Sequence, residues 1–259
     1  MEINTNPQIS IITITRNRAD FIVKAIESAQ KQGFTNWELI VLDDDSNDGT
    51  GAIIEAFKAK DGRIKYYKNP SILGISKNRN LGLSKARGKY IAMLDSDDEW
   101  IDKDKLQKQI DILEKDNSIG LVGSAMNCVD ENGTFLYEEK TKTNDKDIRN
   151  NILIHNQIFQ SSVMFRKKAI DEIGNYDENL VVAEDFDLWL RIGKKYKFAN
   201  LKESTIAYTI HSGGISKNRK LLIAWNHLMI VLKNFGKYPN WFSAIIFAKL
   251  RLLKNIFSK

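Results

Sequence analysis

The stretch YIAMLDSDDEW, Tyr90 to Trp100, decides how the rest of the chain is read. Tyr90 to Leu94 have the unbroken apolar character of a strand buried on both faces. Acids follow at once: Asp95, Asp97, Asp98 and Glu99. Like charges this close repel, so the arrangement asks for a partner. A strand ending in Asp-x-Asp offers oxygen ligands to one shared space. Hard cations such as Mg²⁺ or Mn²⁺ take such ligands, with substrate phosphates completing the shell. The plainer alternative is an exposed turn whose acids cap the next helix. A second acidic loop, DDDSND at 43–48, favours the cation.

Working outward, ISIITIT at 9–15 is a β-branched run read as a buried strand. Ile22, Ala25, Ile26 and Ala29 then recur at helical spacing, with a stop at Gly33. WELIVLD at 37–43 is a second buried strand, followed by a helix over Ala52–Ala59 and a third strand, IKYY, at 64–67. Residues 75–88, ISKNRNLGLSKARG, read as a helix leading into the strand YIAML. Strands alternating with helices imply parallel βαβ units and a Rossmann-like, right-handed wound sheet. Ligands of such sheets bind beyond the carboxyl ends of the strands. There the loops TRNR, DDDSND and DSDDEW should share one edge.

Beyond about residue 118 the pattern changes. IGLVGSAMNCVD and TFLYEE flank the turn ENG, which predicts a hairpin. SSVMFR reads as a strand, AEDFDLWLRIGKKY as a helix, TIAYTI as a strand, and 216–235 and 240–257 as long helices. We divide the chain into one α/β domain over 1–212 and a helical extension over 213–259.

The composition is globular: 259 residues, 42% hydrophobic and 28% charged, with net charge +6. The basic excess suits an anionic partner, although the lysines are scattered, as on any solvated surface. No basic patch interleaved with aromatics suggests nucleic-acid binding. One cysteine, Cys128, permits no internal disulfide. The start MEINTNPQ lacks the order of a signal peptide, and no apolar run reaches the roughly 18 residues of a membrane span. The expectation is a cytoplasmic protein.

Taken together, ISIITITRNR, WELIVLDDDSNDGT, GISKNRNLGLSKARGKYIAMLDSDDEW and AEDFDLWLRI resemble the family 2 glycosyltransferases in content and order, over residues 8–212. The resemblance implies the α/β GT-A fold, a mostly parallel wound sheet, here with a C-terminal helical extension. It also implies an inverting enzyme that uses a nucleotide-diphospho-sugar. Asp44 then matches the acid that hydrogen-bonds the nucleotide base, and Thr15 the loop lining that pocket. Asn17 and Arg18 lie close by and are equally readable as structural. Arg79 matches a position facing the nucleotide, where a cation suits phosphate. Asp95 falls near the ribose and Asp97 on the metal, Mn²⁺ or Mg²⁺. Asp185 matches the catalytic base, with Glu184 beside it; acids there could also serve the helix dipole. His211 is either a structural histidine or a group beside the metal, and Gln160 marks a segment that approaches the acceptor. The sequence departs from the family at Ile14, Arg16 and Asp45, none of which removes a group the mechanism needs. Asp45 sits in a tight turn whose positive φ aspartate tolerates.

The implied donor is UDP-hexose or UDP-N-acetylhexosamine. The implied acceptor is a hydroxyl of a growing surface glycan, such as a lipid-linked O-antigen or capsule unit. Two other classes are weighed. A nucleotidyltransferase should show a Gly-rich loop after the first strand, and TITRNRAD has no glycine. A non-catalytic nucleotide-sugar or polysaccharide binder would have no need of both acidic motifs. Finally, Trp241, Ile245, Ala248, Leu252 and Ile256 recur at helical spacing, widened by Phe242, Ile246, Leu253 and Phe257, with Lys249, Arg251, Lys254 and Lys259 beside them. Such a helix suits the cytoplasmic face of a membrane, packing on the catalytic domain, or a homodimer contact.

Overall fold

The computed structural model describes residues 6–214 and 218–257. Its first half is the wound sheet that the alternation predicts. Strands β1 (Ile9–Thr15), β2 (Trp37–Asp43), β3 (Ile64–Lys68) and β4 (Tyr90–Met93) are parallel, with helices α1 (Ile22–Gln30), α2 (Thr50–Lys60) and α3 (Ile75–Lys85) between them. β1 shows why the sheet is covered on both sides. Successive side chains point to opposite faces, so Ile9 and Ile11 join one core with Ile22 of α1 and Ile54 of α2, while Ile12 joins a second with Leu83 of α3. Gly82 permits that last approach, since a Cβ there would lie 2.7 Å from Ile12.

The second half adds β5 (Glu99–Trp100), α4 (Lys105–Lys115), β6 (Ile119–Asp130), β7 (Phe135–Glu139), α5 (Asp145–Asn151), β8 (Met164–Arg166), α6 (Lys167–Ile173), α7 (Glu184–Gly193) and β9 (Lys197–Ile210). The sheet runs β3-β2-β1-β4-β8-β6-β9-β5, with β7 paired to β6 as the expected hairpin. β8 is antiparallel to both β4 and β6, and β5 is antiparallel to β9. The long β6–β9 ladder is parallel, so parallel pairing still makes up most of the sheet.

Two helices close the chain, α8 (Lys220–Lys233) and α9 (Trp241–Phe257). Ile230, Val231, Tyr238 and Ala244 join the same core as Phe165 and Trp189, and the Tyr238 hydroxyl donates to the Leu190 carbonyl at 2.7 Å. The apolar stripe expected along α9 is split. Trp241, Ile245 and Ala248 turn inward, where Trp241 Nε1 donates to Val231 O at 2.8 Å, and small Ala244 and Ala248 let α9 lie close on its neighbours. Phe242, Ile246, Leu253 and Phe257 stay exposed. Among the described residues, no helix is long and apolar enough to cross a membrane.

Candidate active site

The carboxyl ends of β1, β2 and β4 lie side by side, with Thr15 in register with Asp43 and Ile12 with Met93. The three polar loops therefore share one edge. The acids of 95–98 do not converge on a single point; each has its own partner. Asp95 Oδ1 accepts from Arg79 Nη2 at 3.0 Å. Asp97 Oδ2 lies 2.9 Å from His211 Nε2 and 3.5 Å from Arg18 Nε. Asp98 is buried and turned away, held by the Ser161 hydroxyl and, at 3.1 Å, by the Thr209 N–H. The repulsion that the sequence poses is thus answered by protein groups.

Electrostatics separates the three. Burial pushes Asp98 well above the ordinary aspartate range, and Asp97 and Asp95 add to it. Burial also raises Asp95, against the pull of Arg79. For Asp97 the burial cost is outweighed by the His211 hydrogen bond and the Arg18 charge, and its carboxyl is held below the usual value. Asp95 and Asp97 keep 28% and 24% of their side chains exposed, so these two can meet a ligand.

Arg79 is the hub. Its side chain is only 6% exposed, and Nη1 donates to Glu184 Oε1 while Nη2 holds Asp95. Burial disfavours its charge, but Asp95, Glu184 and Asp185 together raise its pKa. Arg79, read from the sequence as facing the nucleotide, has both terminal nitrogens engaged by protein carboxylates. What it does is join the Asp-x-Asp loop to the start of α7. Tyr176, buried beneath it, offers its ring 5.5 Å from the guanidinium.

Ala183 takes a left-handed conformation, φ 60°, just before α7, and as successive helical residues Glu184 and Asp185 point about 100° apart. Glu184 is buried on Arg79. Asp185 is half-buried, its Oδ1 accepts from the Phe186 N–H at 2.7 Å, and its Oδ2 has no side-chain partner among the described residues. Burial raises both carboxyls, opposed by Arg79.

Asp44 accepts from the N–H groups of Leu73 at 2.7 Å and Gly74 at 2.9 Å and from Asn69 at 3.1 Å, so it also ties the loop before α3 to β2. Asp45 has the positive φ expected of it, 62°. The Thr15 carbonyl accepts from Asp44 N, while its buried hydroxyl has no partner among the described residues. Gln160 donates to the Tyr176 hydroxyl at 3.3 Å, and its Oε1 is likewise unpartnered. Tyr176 and Thr209 are site residues that sequence reasoning misses. Ser161, which with Gln160 and Ser162 belongs to the segment read as approaching the acceptor, also braces the acids: its hydroxyl accepts from Asp95 N, its carbonyl accepts from Trp100 Nε1 at 2.8 Å, and it donates to Asp98. No local sequence signal marks that bracing.

With this geometry in hand, comparison with known proteins gives the class. Residues 10–174 match Glycosyl transferase family 2, and the chain belongs to that family. It is 33% identical over 230 residues to the UDP-Glc:alpha-D-GlcNAc-diphosphoundecaprenol beta-1,3-glucosyltransferase WfaP of Escherichia coli, covering 88% of this chain and 86% of that one. Among solved structures, S. aureus TarS 1–349 in complex with UDP-GlcNAc superposes with a TM-score of 0.74 at 21% identity, covering 97% of this chain and 73% of that one. The mannosyltransferase PcManGT of Pyrobaculum calidifontis, in complex with GDP-Man and Mn²⁺, gives 0.70 at 16% identity, with 98% and 76% covered. The fold is GT-A, and the protein is a glycosyltransferase.

Proposed function

We propose that this enzyme transfers a hexosyl or N-acetylhexosaminyl group from a UDP-sugar, with inversion, to a hydroxyl of a lipid-linked surface glycan. One observation carries the reading: Arg79 ties Asp95, at the donor end, to Glu184, the neighbour of Asp185, whose Oδ2 has no side-chain partner among the described residues. A donor site and a base are thereby held on one rigid support. The relative that acts on diphosphoundecaprenol-linked GlcNAc supports the acceptor class, and the TarS complex supports UDP.

The roles follow. Thr15 and Asp44 line the nucleotide end, with the orphaned Thr15 hydroxyl available to it. Asp95 lies beside the ribose. Asp97 and His211 form a carboxylate–imidazole pair that suits a divalent ion whose other positions are filled by phosphate oxygens. Mn²⁺ or Mg²⁺ held there would offset charge on the departing diphosphate. Asp185 takes the acceptor proton, and burial, which raises its pKa, makes it a stronger base than an ordinary aspartate. Gln160 lies where an acceptor could meet its free oxygen.

The test is a panel of UDP- and GDP-sugars, with and without Mn²⁺, assayed for hydrolysis and for transfer to a diphosphoundecaprenol-linked GlcNAc. UDP-hexose or UDP-N-acetylhexosamine turnover supports the proposal. Turnover of GDP-sugars alone would overturn it.

A further inference from the structure

The net positive charge of this protein is confined to one end. Of its 39 Lys and Arg, nine lie in residues 213–259; of its 33 Asp and Glu, none does. The tail therefore carries +9, and the preceding 212 residues, with 30 cations against 33 anions, carry −3. The excess that reads as scattered along the sequence belongs to the helical extension.

The same segment exposes most of the large apolar side chains that stand free of the core. On α9, Phe242 is 76% exposed and Phe257 81%, with Ile246, Leu250 and Leu253 also open. At 3.6 residues per turn these five fall within about 80° of arc, and Lys249 and Lys254 stand at its two borders. Both lysines are exposed. Helix α8 repeats the arrangement with exposed Leu221, Trp225, Met229 and Leu232, and Lys233 at one border. Neither stripe is a leftover of packing, because each helix has a separate inward face of Ala224, Leu228 and Val231 or of Ala244 and Ala248.

We infer that the outer faces of α8 and α9 seat the enzyme on an anionic lipid surface. Charge selects this occupant. A second copy docking through the same faces would bring the basic borders Lys233, Lys249 and Lys254 of both copies together, whereas an anionic leaflet answers both the apolar arc and its basic borders. Residues at the arc enter the interface, and the lysines meet headgroups.

The experiment floats the full chain with vesicles of phosphatidylcholine alone or with about one third phosphatidylglycerol. Binding to the anionic vesicles, weakened by salt, is expected. Each cation lost from the borders should lower partitioning about fivefold, so Lys249→Glu with Lys254→Glu should nearly remove it. Phe242→Gln with Ile246→Gln and Leu253→Gln should abolish binding even at low salt. All these positions are exposed, so circular dichroism and the melting temperature should be unchanged, which separates lost binding from lost folding. Tryptophan quenching by brominated lipid should fall in Trp225→Phe. Equal binding to both vesicle types, or none by the native chain, would overturn the inference. So would sedimentation equilibrium showing a dimer that the glutamine variants dissociate.

Discussion

Arg79 Nη2 donates to Asp95 Oδ1 at 3.0 Å, and the other arm of the same guanidinium holds Glu184, so one side chain fixes the spacing between the Asp-x-Asp loop and the start of α7. Removing the guanidinium strands a carboxylate that is buried. Arg79→Met should therefore destabilise the fold by about 3–5 kcal/mol, the usual cost of breaking a buried pair. Arg79→Lys restores charge but not the fork, and should recover stability only in part. Chemical denaturation of the three proteins checks the order.

Asp185→Asn should keep donor affinity and lose transfer by roughly 10²–10⁴-fold, the range for a general base. Glu184→Gln should instead lower stability together with activity, because it weakens the Arg79 pair. In the native enzyme, burial raises Asp185, so the acid limb of the transfer rate should lie above the ordinary aspartate value of about 4. Transfer by Asp185→Asn near the native rate would remove Asp185 from the role.

UDP should bind more tightly with Mn²⁺ than without it. Asp97→Ala should abolish that gain, and His211→Ala should reduce it, since Nε2 lies 2.9 Å from Asp97 Oδ2. Calorimetry with and without metal reads both. Equal UDP affinity in the native protein under the two conditions would exclude metal-assisted donor binding.

Lys105 gives a pH signature unconnected with catalysis. It is fully buried, bonded to Gln109 at 2.8 Å, and burial pulls its amine down to about 7. Between that value and the unfolded value of about 10.4, the unfolded chain binds one proton more than the folded one. Stability from this group therefore rises with pH across that window and is least below it. The stability of Lys105→Met relative to the native chain should improve as pH falls from about 10 to 7, by a few kcal/mol at most. Paired urea melts at the two pH values measure it.

Local sequence carried the first half of the fold because its strands and helices alternate with clean periods. Ile9, Ile11 and Ile12 divide between two cores as a buried strand must, and Ile22, Ala25, Ile26 and Ala29 all lie inward. The same sequence placed Asp44, Asp95 and Asp97 at the ends of strands. It could not show that Arg79 is spent on Glu184, a residue 105 positions away, or that Ser161 braces both Asp95 and Asp98. Those pairings depend on antiparallel β8 and the long return of β9, which leave no periodic trace. On α9, periodicity found an apolar helix but not which of its two apolar faces the core would take; Ala244 and Ala248 decided that by size.

The pairing of β5 with β9 bears on the order in which the protein becomes active during its synthesis. Glu99 and Trp100 have Ala207 and Ile206 as their partners, more than a hundred residues downstream. Until that segment has left the ribosome, Asp98 lacks the Thr209 N–H and Asp97 lacks His211. The nascent β1–β4 sheet can form early from local contacts, but the acidic loop at its edge stays unbraced. On the roles proposed above, a chain halted before β9 would carry the β1–β4 sheet with an acidic loop that lacks both of these partners.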